Sequence, residues 1–203
     1  MFRKPWIFVI LALAIAPAAA QAAPQYAYSY AVKFVCGYNP SNLGYDATGG
    51  QAGENVVKFG NYATDVNIYN FNLYPLTAPP TATIEKRFLM LVRGGYPVGR
   101  EPNVVDPGGY DFIQLKSGQA TMDDCNRISQ ILYGGVFTPY PLTIGYLVIL
   151  STHELDVTAV YTSQNCSNWA TSPYSLECLS STGQFQGGNT DIHVNQIQGR
   201  KLF

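Results

Sequence analysis

Residues 142–163 read LTIGYLVIL (142–150), STHE (151–154) and LDVTAVYTS (155–163). The first run is apolar on both alternation faces, with Ile144, Tyr146, Val148 and Leu150 set against Leu147 and Ile149, as expected of a strand covered on both sides. The second run alternates: Leu155, Val157, Ala159 and Tyr161 share one face, while Asp156, Thr158 and Thr162 fall on the other. Four polar residues between two such runs have the length of a hairpin loop, so the stretch is expected to form a β-hairpin at the centre of the fold.

Working outward, the same period-2 pattern recurs. Tyr28, Tyr30, Val32, Phe34 and Cys36 share a face of a first strand, and Tyr62, Thr64, Val66 and Ile68 share a face of a second. Residues 82–92 supply a third strand, 110–115 and 119–125 two short ones, and 191–197 a last one. Asp123 or Asp124 can cap a short helix carrying Arg127, Ile128, Ile131 and Leu132, which Gly134 and Gly135 would stop. Pro- and Gly-rich stretches at 37–54, 73–81 and 93–109 read as loops. About eight strands and one helix, without repeat or domain boundary, give an all-β antiparallel sandwich, Ig-like or jelly-roll-like.

The amino end has a different character. Arg3 and Lys4 precede an apolar run at 6–16, and Ala20-Gln21-Ala22 offers small residues for cleavage, the pattern of a secretory signal peptide over residues 1–22. Residues 23–203 would then form the single mature domain, exported to the periplasm or secreted. Losing Arg3 and Lys4 takes the formal net charge from −1 to −3. No basic run stands out, so nucleic-acid binding lacks its electrostatic footprint. No stretch after residue 22 is long and apolar enough for a membrane span.

Four cysteines, Cys36, Cys125, Cys166 and Cys178, lie beyond the signal segment, an even count that in an exported chain argues for disulfides. Three connectivities are open. The favoured one clamps a loop through Cys166–Cys178 and bridges distant segments through Cys36–Cys125, at roughly 3 and 4.5 kcal/mol by loop entropy. A zinc site built from the four thiolates lacks the C-x2-C spacing.

Several of these segments taken together resemble a family of exported, uncharacterised bacterial β-sandwich proteins. They are KFVCG (33–37), TDVNIYN (64–70), the segment from Asp124-Cys125 to Ile128, GYLVI (145–149) running on to LDVTAVYT (155–162), and DIHV (191–194) followed by GRK (199–201). The likeness covers most of the mature chain and implies the sandwich fold and the Cys36–Cys125 pairing. The layout is also distantly similar to the small sandwich of sensory rhodopsin transducers, which bind and signal without catalysis. A shared architecture does not carry function with it.

Candidate chemistry is sparse. His153, Glu154 and Asp156 sit at the expected hairpin tip, and His193 follows Asp191; such residues are most often solvated turn polars. There is no H-E-x-x-H, G-x-S-x-G or Gly-rich phosphate loop. Asp123 and Asp124 could hold calcium, although paired acids before a helix usually serve as caps. Glu85, Glu101, Asp65 and Glu154 are available for glycoside cleavage, but nothing in their spacing pairs them. Asn165-Cys166-Ser167 matches a glycosylation sequon through a disulfide candidate. No cofactor and no metal are expected.

Tyrosine is abundant, and exposed rings stack on sugars or anchor protein partners at low entropic cost. Tyr38, Tyr45, Tyr96, Tyr110, Trp169 and Tyr174 are the candidate binding residues, on the loops 37–54, 93–109 and 164–188 and their borders; the competing reading places them over the core. The expectation is a non-catalytic module that binds a glycan or an envelope protein. The alternatives are an assembly subunit, which the first or last strand would join into a homo-oligomer by strand addition, and a hydrolase.

Overall fold

The computed structural model describes residues 25–39, 57, 60–73, 80–135, 142–165, 169–172, 175–178 and 189–203. The signal segment, Tyr45, Tyr174 and the expected Cys166–Cys178 bridge lie outside the described residues, as does the side chain of Trp169.

The strands are β1 (Tyr28–Asn39), β2 (Gly60–Tyr69), β3 (Ala82–Arg93), β4 (Tyr96–Pro97), β5 (Gly109–Leu115) and β6 (Ala120–Asp123). After the helix α1 (Cys125–Tyr133) come β7 (Thr143–Ser151), β8 (Asp156–Asn165), β9 (Trp169–Ser172), β10 (Ser175–Cys178), β11 (Asn189–Ile197) and β12 (Arg200–Lys201). Every pairing is antiparallel. Among the described residues the fold is an all-β sandwich-like architecture with one short helix, and its strands outnumber the eight expected because several are two to four residues long.

The first sheet runs β12–β1–β7–β3, with β5 and β4 sharing the far side of β3. The second runs β2–β8–β11, with β6 and the end of β1 sharing the near side of β2. β1 therefore belongs to both sheets: residues 28–36 pair with β7 and residues 37–39 with β2. The handover falls on Gly37, whose φ of 99° is open to glycine and rarely to residues with a Cβ. β9 and β10 form a separate two-stranded ribbon.

The alternation seen in the sequence is what the core uses. Tyr30, Val32 and Phe34 from β1, Ile84 and Phe88 from β3, and Leu147 and Ile149 from β7 face Val66, Ile68, Val157 and Ala159 of the second sheet. Each buried Val, Leu, Ile or Phe among them contributes about 1.5–3 kcal/mol. Gly145 lets β7 lie close, because a Cβ there would strike the Leu89 carbonyl oxygen and approach Phe34 Cζ to 2.6 Å. α1 begins as the sequence suggests: the Asp124 carboxylate accepts the Arg127 N–H at 2.7 Å. It ends on Gly134 in the left-handed conformation and buries Ile128 against the core.

The expected hairpin is not formed. β7 and β8 are strands, but β7 pairs with β1 and β3 while β8 pairs with β2 and β11, so residues 152–155 arch from one sheet to the other. Each strand has one apolar face, and a hairpin or an arch satisfies that pattern equally. The arch is held by contacts distant in sequence: Thr152 N–H donates to Thr83 O at 3.1 Å, and the buried Leu155 N–H donates to Tyr30 Oη at 2.7 Å. β7 is also not covered on both faces. Tyr146 is 40% exposed on its outer side, with Val148 and Leu150 half-buried beside it.

Candidate functional site: an aromatic outer face

Register determines which outward side chains meet. Across β7, β3 and β5, Leu150 lies opposite Glu85, which lies opposite Phe112; Val148 lies opposite Arg87, which lies opposite Tyr110; Tyr146 lies opposite Leu89. These residues alternate with the core-facing set, so they share the outer face of the first sheet. β1 extends it with Ala31 and Lys33, opposite Val148 and Tyr146. Tyr110 is 54% and Phe112 63% exposed. Strands stand about 4.8 Å apart and same-face neighbours about 7 Å apart, so the three rings fall within one patch roughly 17 Å across.

The centre of the patch is nearly neutral, with Lys33 adding a positive charge at its β1 edge beside Tyr146. Arg87 Nε lies 2.6 Å from Glu85 Oε1, so the two charges at its centre offset one another. Tyr26, just before β1, joins the same group: burial and a hydrogen bond to Glu85 push its hydroxyl above the usual range. The result is a surface of four aromatic rings with a guanidinium, a carboxylate and three phenol hydroxyls between them.

The expected binding residues divide. Tyr110 belongs to this face, on the strand β5 that borders the loop 93–109. Tyr96 is exposed on β4, opposite Arg93; six residues along β3 from Arg87, that is roughly 20 Å away. Tyr38 is half-buried near the end of β1, and burial pushes its hydroxyl up. Phe112 and Tyr146 were not among the expected residues: Tyr146 lies in a run that reads as a strand covered on both sides, and Phe112 lies within a short strand, away from the loops expected to carry the binding rings.

The candidate reactive groups do not converge. A cleft of about 440 Å³ lies beside the arch, lined by Phe71, Glu154, Leu155, Asp156 and the segment 196–199. Neither histidine lines it. His153 Nδ1 lies 2.9 Å from Thr152 Oγ1 in the arch, while His193 is exposed on β11 opposite Tyr161. Glu85 is engaged by Arg87, Glu101 is exposed, and Asp65 is held up by burial and by repulsion from Asp124. Of the paired acids Asp123 and Asp124, Asp124 caps the helix, the role such acids usually take, and Asp123 is buried against Lys86. Among the described residues no group of three or more His, Cys, Asp or Glu side chains is placed to hold a metal ion.

One disulfide joins the sheets. Cys36 at the end of the β1–β7 pairing is bonded to Cys125 at the start of α1, and Cys125 Sγ accepts the Thr64 N–H at 3.3 Å. Among the described residues no helix is long and apolar enough to cross a membrane. Comparison with protein-family models, with curated proteins and with solved structures finds no match to the chain.

Proposed function

We propose that the protein is an exported, non-catalytic binding module that recognises a flat glycan through the outer face of its first sheet. The observation that carries this reading is the grouping of Tyr26, Tyr110, Phe112 and Tyr146 around the neutralised Arg87–Glu85 pair. Exposed rings on a flat sheet stack against the apolar faces of sugars, and the polar groups among them can satisfy hydroxyls. The neutral centre suits an uncharged ligand better than an acidic one. Export is supported by the pattern of residues 1–22 and by the Cys36–Cys125 bridge, which suits an oxidising compartment. The likeness to exported bacterial sandwiches forms part of the same reading.

The test is retention of the full chain on neutral polysaccharides and on peptidoglycan, against Phe112→Ala and Tyr146→Ala. Each substitution is expected to weaken binding about tenfold or more, at 1.4 kcal/mol per tenfold. Stability should move by less than about 1 kcal/mol for Phe112→Ala, whose ring is mostly in water, and by about 1–2 kcal/mol for Tyr146→Ala, whose ring is more than half covered. No retention on any polysaccharide, or binding that ignores both substitutions, overturns the reading. Capture of an envelope protein through the same rings would replace the glycan by a protein partner.

A second reading, assembly by strand addition, is favoured by β11. It pairs on one side with β8, and among the described residues no strand pairs with its other edge. Ile192 and Val194 are 63% and 62% exposed, with no proline or lysine guarding the edge. β1, the other strand considered for this role, is central and already paired on both sides. Light scattering should then show size rising with concentration, and Val194→Lys should abolish the rise; a monomer at all concentrations contradicts assembly.

A further inference from the structure

The most unusual chemistry in the molecule lies inside the sandwich, away from the aromatic face. Lys86 projects from β3 into the core with 2% of its side chain exposed. Its Nζ donates to both carboxyl oxygens of Asp123, at 2.8 and 3.1 Å. Asp123, 1% exposed, belongs to β6 of the second sheet, so the contact spans the two layers. Asp111, opposite Lys86 on β5, brings Oδ2 to 2.7 Å from the same nitrogen and to 3.0 Å from Arg127 Nη2 on α1. Both contacts are ion pairs, so Asp111 is held between two cations.

A lysine, an acceptor carboxyl and a second carboxylate thus meet in a site walled by core residues. Phe88 and Ile84 flank Lys86 on its own face of β3, Ile149 lies opposite it on β7, and Val66 lies opposite Asp123. We propose that Lys86 Nζ and Asp123 Cγ become joined by an amide bond after folding, a covalent cross-link between the two sheets, with Asp111 moving the proton.

The step balances without a cofactor or an oxidant. A proton passes from the Lys86 ammonium to the Asp123 carboxylate, leaving a neutral amine and a neutral carboxylic acid. An apolar environment favours that pair over separated charges. Burial pushes the Asp123 carboxyl up against the opposing pull of Lys86, which brings the acid form within reach. Rotation about Cβ–Cγ presents the face of the carboxyl to Nζ, and the amine attacks Cγ. Asp111 takes the proton released from nitrogen and returns it to the departing hydroxyl, so one N–C bond forms, one C–O bond breaks and one water leaves. Burial opposes ionisation of Asp111, but the charges of Lys86 and Arg127 outweigh it and hold its carboxyl below the usual range, ready as the base. Fixed contact between the reacting groups supplies the effective concentration that such a condensation lacks in free solution.

Mass spectrometry of the purified, denatured and reduced chain tests this directly and is independent of any ligand. The expected result is a species lighter by one water than the processed sequence. Digestion should release a branched peptide joining the segments around residues 86 and 123. Lys86→Arg and Asp123→Ala should each restore the full mass, and Asp111→Asn should leave most of the chain unlinked when freshly folded. Because the branched peptide is sought in the native sequence, the test stands even where a variant does not fold. A native chain at full mass after prolonged incubation in the folded state overturns the proposal. So does a mass deficit that survives Asp123→Ala, or an Asp111→Asn chain that links at the native rate.

Discussion

Replacing Lys86 with methionine is expected to destabilise the protein by about 3–5 kcal/mol, because it leaves the Asp123 carboxyl buried with no cation in contact. In a chain of this length each kcal/mol moves the melting temperature by roughly 2–4 °C, so a fall of about 10 °C should appear in a thermal melt. The cross-link inferred above adds to this figure. The loss should depend on pH in a defined direction. In the variant, Asp123 holds its proton more tightly folded than unfolded, since burial already pushes it up in the native chain. Stability of the variant therefore falls as pH rises from about 4, the unfolded carboxyl value, through the raised folded value, and acidification recovers part of it. Adding Asp123→Leu should restore much of the loss at neutral pH, because an apolar pair of similar volume incurs no charge-burial cost. Equal destabilisation at pH 4.5 and pH 7 would contradict the assignment of Asp123 as the orphaned group.

Removing the other inter-sheet tie should cost about as much. Cys36 and Cys125 are 89 residues apart, and closing a loop of that size constrains the unfolded chain by about 4.5 kcal/mol in the entropy model. The double substitution Cys36→Ala and Cys125→Ala also frees the start of α1 from the end of β1 and removes the sulfur that accepts the Thr64 N–H. A loss of about 2–5 kcal/mol in denaturant unfolding is expected, with little change in binding to any ligand of the aromatic face, which lies on the outside of the first sheet. A loss below about 1 kcal/mol would show that the remaining packing holds the two layers without the bridge.

The strands were legible because each carries one buried face. Tyr30, Val32 and Phe34, or Val66 and Ile68, announce themselves by alternation, and Asp124 and Gly134 mark the ends of α1 by their local chemistry. Pairing was not legible. The four residues 151–154 are compatible with a hairpin or an arch, and the choice rests on Tyr30 and Thr83, more than sixty residues away, holding Leu155 and Thr152. The aromatic face follows from pairing, so it was hidden too. Tyr110, Phe112 and Tyr146 become neighbours only once β7, β3 and β5 are in register. The Lys86–Asp123–Asp111 group is still more remote from any local pattern: alternation with Ala82, Ile84 and Phe88 turns Lys86 inward, but only the pairing of β3 with β5 and the packing of β6 across the core bring the two carboxyls to it. Glu85 drew notice as a lone acid, whereas its partner Arg87 stands two residues along the same strand.

Everything proposed for the outer face and for the buried cross-link depends on β7 and β8 lying in opposite sheets. Nuclear Overhauser contacts between backbone protons measure this most directly. The structure requires contacts from Leu147 to Val32 and Phe88, and from Val157 to Ile68 and Ile197. Contacts between Ile149 and Asp156 would instead mean that the two strands form one hairpin around residues 151–154, and that the face, the arch and the cross-link are misplaced.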